Sequence, residues 1–274
     1  MTINCKGNLI DLSTPKVMGI LNITPDSFFS ESRTQTEEKI LQAAEEMLEE
    51  GATFLDIGGY SSRPGANEVS VNEELERVIP AIESILKNHP ETLISIDTFR
   101  AEVASQAIKA GAAMVNDIAA GNLDGQMMQV VGQLKVPYIM MHMRGTPQTM
   151  QEQNNYKDLI QEVIFYFSEK IAEARNHGIN DVILDPGFGF SKNISQNFEL
   201  LNKMELLQTA GLPVLAGLSR KSTIYKTLSC TPGEALNGTT VLNTIALQKG
   251  AAILRVHDVK EAMEAVELVS RLKN

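Results

Sequence analysis

A short unit repeats along this chain: an amphipathic helix, a glycine, a short apolar run, then a polar residue. Gly51-Ala52-Thr53-Phe54-Leu55-Asp56 carries it, and so does Gly111-Ala112-Ala113-Met114-Val115-Asn116. Gly178 leads through Val182-Ile183-Leu184 to Asp185, and Gly250 leads through Ile253-Leu254 to Arg255. Glycine suits a helix end because the left-handed conformation there costs it little. The apolar runs are too short for helices and do not alternate, as expected of strands buried on both faces of a parallel sheet. Four more runs keep the rhythm without the glycine: Val17–Leu21 before Asn22, Leu93–Ile96 before Asp97, Pro137–Met141 before His142, and Pro213–Leu215 leading to Ser219. Eight strands alternating with helices predict an α/β fold, a (β/α)8 TIM barrel, more naturally than an open doubly wound sheet. No GxGxxG follows any strand, which counts further against a dinucleotide-binding fold.

The helices carry start signals. Ser70 with Glu73, Thr231 with Glu234 (Pro232 between them), and Asp258 with Glu261 predict capping boxes. Tyr156, Leu159, Ile160, Val163, Ile164, Phe167, Ile171 and Ala174 form a 3.6-period stripe, read as a helix face packed on the barrel. Pro80 falls inside a helical pattern and is expected to kink or split it. Residues Ile3–Leu12 precede the first barrel strand and suit a short N-terminal β-hairpin plugging the bottom. No linker divides the chain, and its 274 residues read as a single domain, 1–274.

Composition narrows the function classes. A formal net charge of −10 argues against a nucleic-acid or anionic-membrane partner. Cys5 and Cys230 are far apart and in no metal-like spacing, which fits two reduced thiols. The start Met1-Thr2-Ile3-Asn4-Cys5-Lys6 lacks a basic-then-apolar leader pattern, and no apolar run approaches the ~20 residues of a bilayer crossing. A cytoplasmic enzyme is the expectation.

In such a barrel the C-terminal ends of the strands build the active site. Here they present Asn22, Asp56, Asp97, Asn116, His142, Asp185, Ser219 with Lys221, and Arg255 with His257. Any single strand-ending Asp or Asn has a rival reading as a helix cap or turn former. Polar groups at nearly every strand end, converging on one mouth, favour a site. The carboxylates and amides suit a ligand with several N–H donors in one plane, with Asp185 and Asn116 the foremost acceptors. Arg255 and His257, at the eighth unit beside a helix N-terminus, suit an anion such as phosphate. Ser219-Arg220-Lys221-Ser222 adds cationic and hydroxyl donors, although alone it also reads as a solvated loop. The loop after the first strand holds Phe28 and Phe29, which either pack on the scaffold or cover an aromatic substrate.

The set of motifs resembles dihydropteroate synthase over essentially the whole chain. It comprises Gly19-Ile20-Leu21-Asn22-Ile23-Thr24-Pro25-Asp26-Ser27-Phe28, Asp56-Ile57-Gly58-Gly59 and Ser61-Ser62-Arg63-Pro64-Gly65-Ala66. Ile96-Asp97-Thr98, Val115-Asn116-Asp117, Leu184-Asp185-Pro186-Gly187-Phe188-Gly189-Phe190, Ser219-Arg220-Lys221-Ser222 and Arg255-Val256-His257-Asp258 complete it. The resemblance implies condensation of p-aminobenzoate with 6-hydroxymethyl-7,8-dihydropterin diphosphate, releasing pyrophosphate and 7,8-dihydropteroate. It further implies Mg²⁺, a homodimer and a sulfonamide target. By position, Asp56, Asp97, Asn116, Asp185 and Lys221 would hold the pterin. Asn22, Arg63, Arg255 and His257 would hold the diphosphate, with Asn22 also a metal ligand. Phe28, Ser61, Ser62, Pro64, Phe190 and Ser222 would form the aminobenzoate side, and Asp97, Lys221 and Arg255 would carry catalysis. Tyr60 stands where many relatives carry an acidic residue, and Ser62 where threonine is common.

Two rival readings fit parts of the sequence. A methyltetrahydrofolate-binding methyltransferase barrel would grip a pterin similarly but leave Phe28, the Ser-Arg-Lys-Ser segment and Arg-Val-His unexplained. A barrel without catalysis would release no pyrophosphate from the two substrates.

Overall fold

The computed structural model describes residues 1–23, 33–60 and 69–272. Two antiparallel strands, β1 (Thr2–Cys5) and β2 (Asn8–Asp11), form the expected hairpin, turning at Lys6 and Gly7, both at positive φ. The barrel strands are β3 (Lys16–Asn22), β4 (Phe54–Gly58), β5 (Leu93–Asp97), β6 (Met114–Asp117) and β7 (Tyr138–Met141). β8 (Val182–Asp185), β9 (Leu215–Ala216) and β10 (Ile253–Val256) complete them. All neighbours pair in parallel in the order β8-β7-β6-β5-β4-β3-β10-β9, and a bridge from Leu184 to Val214 closes the ring. The fold is a (β/α)8 barrel with an N-terminal hairpin, as the repeating unit predicts.

Strand parity sorts every residue. Successive side chains alternate faces, so Val17, Leu21, Leu55, Ile57, Val115, Tyr138, Leu184 and Leu254 point outward and bury against the helices. The alternate row, Met18, Phe54, Met114, Ile139, Ile183, Leu215 and Ile253, fills the barrel interior. The hairpin closes this layer from below, because Ile3, Cys5 and Leu12 pack into the same cluster. Burial there pushes the Cys5 thiol up to about 12, so it stays protonated.

The helices follow their signals with one exception. Helix Val71–Asn88 has the Ser70–Glu73 capping box and continues through Pro80, so of the two expected outcomes, kink or split, the split does not occur. Helix Leu159–Asn176 buries Leu159, Ile160, Val163, Phe167 and Ala174 along the predicted stripe. Thr231 and Glu234 cap a short 3-10 turn. Asp258 makes no side-chain cap for helix Val259–Arg271, contrary to expectation. Its two carboxylate oxygens instead take Nε and Nη2 of Arg220 at 2.9 and 2.7 Å. A bidentate, charge-assisted pair outcompetes a cap.

Candidate active site

Above the apolar layer, the inward row turns polar. Asp56 pairs in register with Ser95, and Gly58 with Asp97; Asp97 in turn pairs with Asn116. Asn22 pairs with Gly58, and Asp185 with Met141. One parity therefore places Asn22, Asp56, Ser95, Asp97, Asn116, Asp185 and Arg255 on the inside of the barrel mouth. Ser95 was not singled out from the sequence, and its place in the inward row is the signal that finds it.

Asp56 is the floor of the site. It is fully buried, and its Oδ2 accepts from Asn116 Nδ2 at 3.0 Å and from Arg255 Nε at 2.5 Å. Its Oδ1 and the buried Ser95 Oγ have no partner among the described residues. Buried polar atoms normally find one, so this floor has hydrogen-bonding capacity for a ligand. Arg255 reaches further, its Nη2 donating to Asp97 Oδ2 at 2.7 Å. One guanidinium thus serves two carboxylates. Asp56 holds the shorter contact and the extra amide, and Asp97 the longer one. Burial pushes Asp97 to about 7; Arg255 opposes the rise and Asp56 adds to it.

The other half of the mouth is built on the loop after β8. Asp185 Oδ1 accepts the Gly187 N–H at 2.8 Å, and burial raises its carboxyl against the opposing pull of Lys221. Gly187 is at φ +71°, and a Cβ there would lie 2.1 Å from the His142 carbonyl oxygen, so only glycine fits. Lys221 precedes helix Ser222–Thr227, donates from Nζ to the Phe188 carbonyl, and lies 4.8 Å from the Phe190 ring centre. Burial pulls its ammonium down to about 8, although Asp185 favours the charge. Ser222, beside it, is half-buried. Ser219 Oγ bonds His257 Nδ1 at 2.9 Å, and His257 itself is exposed at the rim.

Arg220, from the same motif, leaves the site. At φ +53° it turns to Asp258 and the carbonyls of Pro232 and Gly233, pinning the segment that presents Lys221.

His142 is a correction. Ile139 and Met141 are the inward residues of β7, so His142 falls on the outward parity. It is buried edge-on to Tyr166 at 4.8 Å, with Nδ1 2.9 Å from Lys192 Nζ. Burial holds it well below the usual imidazole range, and it serves the scaffold, not the mouth. Lys192 was missed altogether from the sequence: a lysine in a polar loop reads as solvated, yet this one is buried. Phe28, Ser61, Ser62, Arg63 and Pro64 lie outside the described residues. Tyr60 ends the described part of its loop, edge-on to Phe99 at 5.1 Å and accepting from Gln148 Nε2 at 3.2 Å.

This geometry has known counterparts. Residues 18–257 match the family described as pterin binding enzyme. The chain is 44% identical over 271 residues to the dihydropteroate synthase of Escherichia coli (strain K12), covering 98% of this chain and 95% of that one. The structure of Yersinia pestis dihydropteroate synthase with a sulfonamide drug complex is similar at a TM-score of 0.93 and 40% identity, covering 100% and 99% of the two chains. That of the Xanthomonas albilineans enzyme in complex with 7,8-dihydropteroate has a TM-score of 0.89 at 36% identity, again covering 100% and 99%. The chain belongs to the dihydropteroate synthase family of pterin-binding enzymes.

Proposed function

We propose that the polar inner row of this barrel mouth performs the family's reaction, joining p-aminobenzoate to 6-hydroxymethyl-7,8-dihydropterin diphosphate. The observation that carries the reading is the Asp56–Arg255–Asp97 arrangement, anchored on the buried Asp56, with Asn116 and Asp185 on the same inward face. A pterin offers ring and amino N–H donors along one edge, and Asp56, Asn116 and Asp185 supply acceptors for them. Lys221 donates to the ring's acceptor side.

Arg255 stands between the pterin carboxylates and the rim, where His257 and Asn22 would meet the diphosphate, with Arg63 from the adjoining loop. A phosphate oxygen arriving at Arg255 competes with Asp97 for its N–H groups. Each donor it takes leaves more of the Asp97 charge facing the pterin's exocyclic methylene. The C–O bond to the diphosphate then breaks, and positive charge spreads from the methylene into the electron-rich ring. Asp97 stabilises that charge without transferring a proton, an electrostatic role. The arylamine nitrogen forms the new C–N bond and loses one proton, giving 7,8-dihydropteroate and pyrophosphate. Phe190 and Ser222 would flank the arylamine, with Phe28, Ser61, Ser62 and Pro64 from the two loops.

Mg²⁺ fits this site as an ion shared with substrate. Asn22 is half-buried at the end of β3 and presents a hard amide oxygen, and Mg²⁺ takes few protein ligands where phosphates supply the rest. When bound, it would neutralise diphosphate charge. The family resemblance also supports a homodimer and a cytoplasmic location; no helix among the described residues is long and apolar enough to cross a membrane.

The test is direct: purified protein is incubated with both substrates and Mg²⁺, and products are followed by mass spectrometry. Dihydropteroate and pyrophosphate forming one for one support the reading. Pterin diphosphate left intact contradicts it.

A further inference from the structure

We propose that Lys192 is a positioning residue for the aminobenzoate end of the site, locking the Gly187–Phe190 loop in the shape that presents the Phe190 ring. The inference rests on the placement of Phe190 beside the aminobenzoate. Lys192 Nζ lies 2.9 Å from His142 Nδ1, 3.1 Å from the carbonyl oxygens of Gly187 and Phe190, and 3.4 Å from that of His142. The residue is 6% exposed. An ammonium group this buried is costly unless acceptors surround it, and here every acceptor belongs to the loop or to the end of β7.

The loop needs such a clamp. Gly187, Gly189 and Ser191 all have positive φ, so the chain winds tightly and turns its carbonyls to two lysine side chains. Those of Gly187 and Phe190 go to Lys192, while that of Phe188 goes to Lys221. Lys221 in turn faces the Phe190 ring. Shifting the Phe190 carbonyl therefore moves the ring relative to Lys221. The anchor at the other end is rigid, because His142 is wedged among Tyr156, Tyr166 and Phe167. Asn197 adds a second tie, accepting the Gly189 N–H at 2.7 Å and donating to the Lys192 carbonyl at 3.2 Å.

Steady-state pyrophosphate release by wild type, Lys192→Met, Phe190→Ala and the double variant tests this. Lys192→Met fills the same volume without donors. It is expected to raise the KM for p-aminobenzoate by about tenfold or more, the scale of lost hydrogen bonds to a charged group, with the KM for pterin diphosphate within about twofold. In the Phe190→Ala background the same change should add less than about twofold, because the ring through which Lys192 acts is gone. Additive effects, or equal losses for both substrates, would overturn the proposal and leave Lys192 a general fold stabiliser. If Lys192→Met fails to fold, Lys192→Gln, which keeps two N–H donors on a shorter chain, should show the same split with a smaller amplitude, and no split overturns it equally. Wild type that forms no product sinks the parent reading and this one with it. Active wild type with an unchanged aminobenzoate KM in the variant sinks only Lys192.

Discussion

Nη2 of Arg255 lies 2.7 Å from Oδ2 of Asp97, joining residues 158 positions apart across the barrel mouth. The same guanidinium holds Asp56 at 2.5 Å. The anion-binding side chain expected at the eighth unit is thus already engaged with the carboxylates expected to hold the pterin. The two carboxylates share one cation, and under the proposed function a phosphate would compete for it.

Burial of the Asp97 carboxyl has a consequence for stability against pH. Asp97 is raised from 3.8 to about 7, so the folded state holds its proton more tightly than the unfolded chain does. The contribution is present below about pH 3.8 and lost as pH rises through about 7. Asp97→Asn removes the titration. Relative to wild type, the variant should therefore gain stability between pH 4 and 7.5, by ~1 kcal/mol or more. Urea unfolding at both pH values measures it, and a constant difference would show that Asp97 does not titrate there.

Asp185 accepts the Gly187 N–H from a buried position. An asparagine there keeps an acceptor for the loop but loses the charge toward the pterin edge. Asp185→Asn is expected to weaken hydroxymethylpterin binding by roughly 2–3 kcal/mol, the cost of a buried charge-assisted bond. Calorimetry with the bare pterin decides, and an unchanged dissociation constant removes Asp185 from the pterin contact.

Lys221 is depressed by burial to about 8, so its cation is present below that pH and fades above it. The kcat/KM for pterin diphosphate should fall as pH rises through about 8, since this ratio reports the free enzyme. Lys221→Arg keeps its charge throughout and should push the decline above pH 9. A decline at the same pH in the arginine variant would assign it to another group.

The bottom of the barrel should behave differently from the mouth. Phe54 fills the apolar layer beneath Asp56 and is fully buried. Phe54→Ala should cost about 3–5 kcal/mol in unfolding, with kcat at low temperature within about threefold of wild type. A selective loss of kcat without loss of stability would mean the two layers are coupled.

Much of this was legible in the sequence because strand parity is a two-residue code. Short apolar runs ending in one polar residue put Asp56, Asp97, Asn116, Asp185 and Arg255 on the inner row, where the structure has them. His142 escaped because Tyr138-Ile139-Met140-Met141 is apolar on both faces, and nothing in it reveals the phase. Lys192 escaped for another reason: its acceptors are backbone carbonyls, turned toward it by the positive φ of Gly187 and Gly189. The Gly-Phe-Gly-Phe run was the available clue, since glycines at that spacing permit such a winding. The capping signal at Asp258 is local, while the partner that takes its carboxylate, Arg220, is distant in sequence.

The most direct test of the account is single-turnover pyrophosphate release by wild type and Asp97→Asn, with p-aminobenzoate and pterin diphosphate both saturating. If Asp97 stabilises the departing cation, the variant's rate should fall by on the order of 10²-fold even when every site is filled. An unchanged rate at saturation would contradict the account, leaving Asp97 a partner of Arg255 and no part of the chemistry.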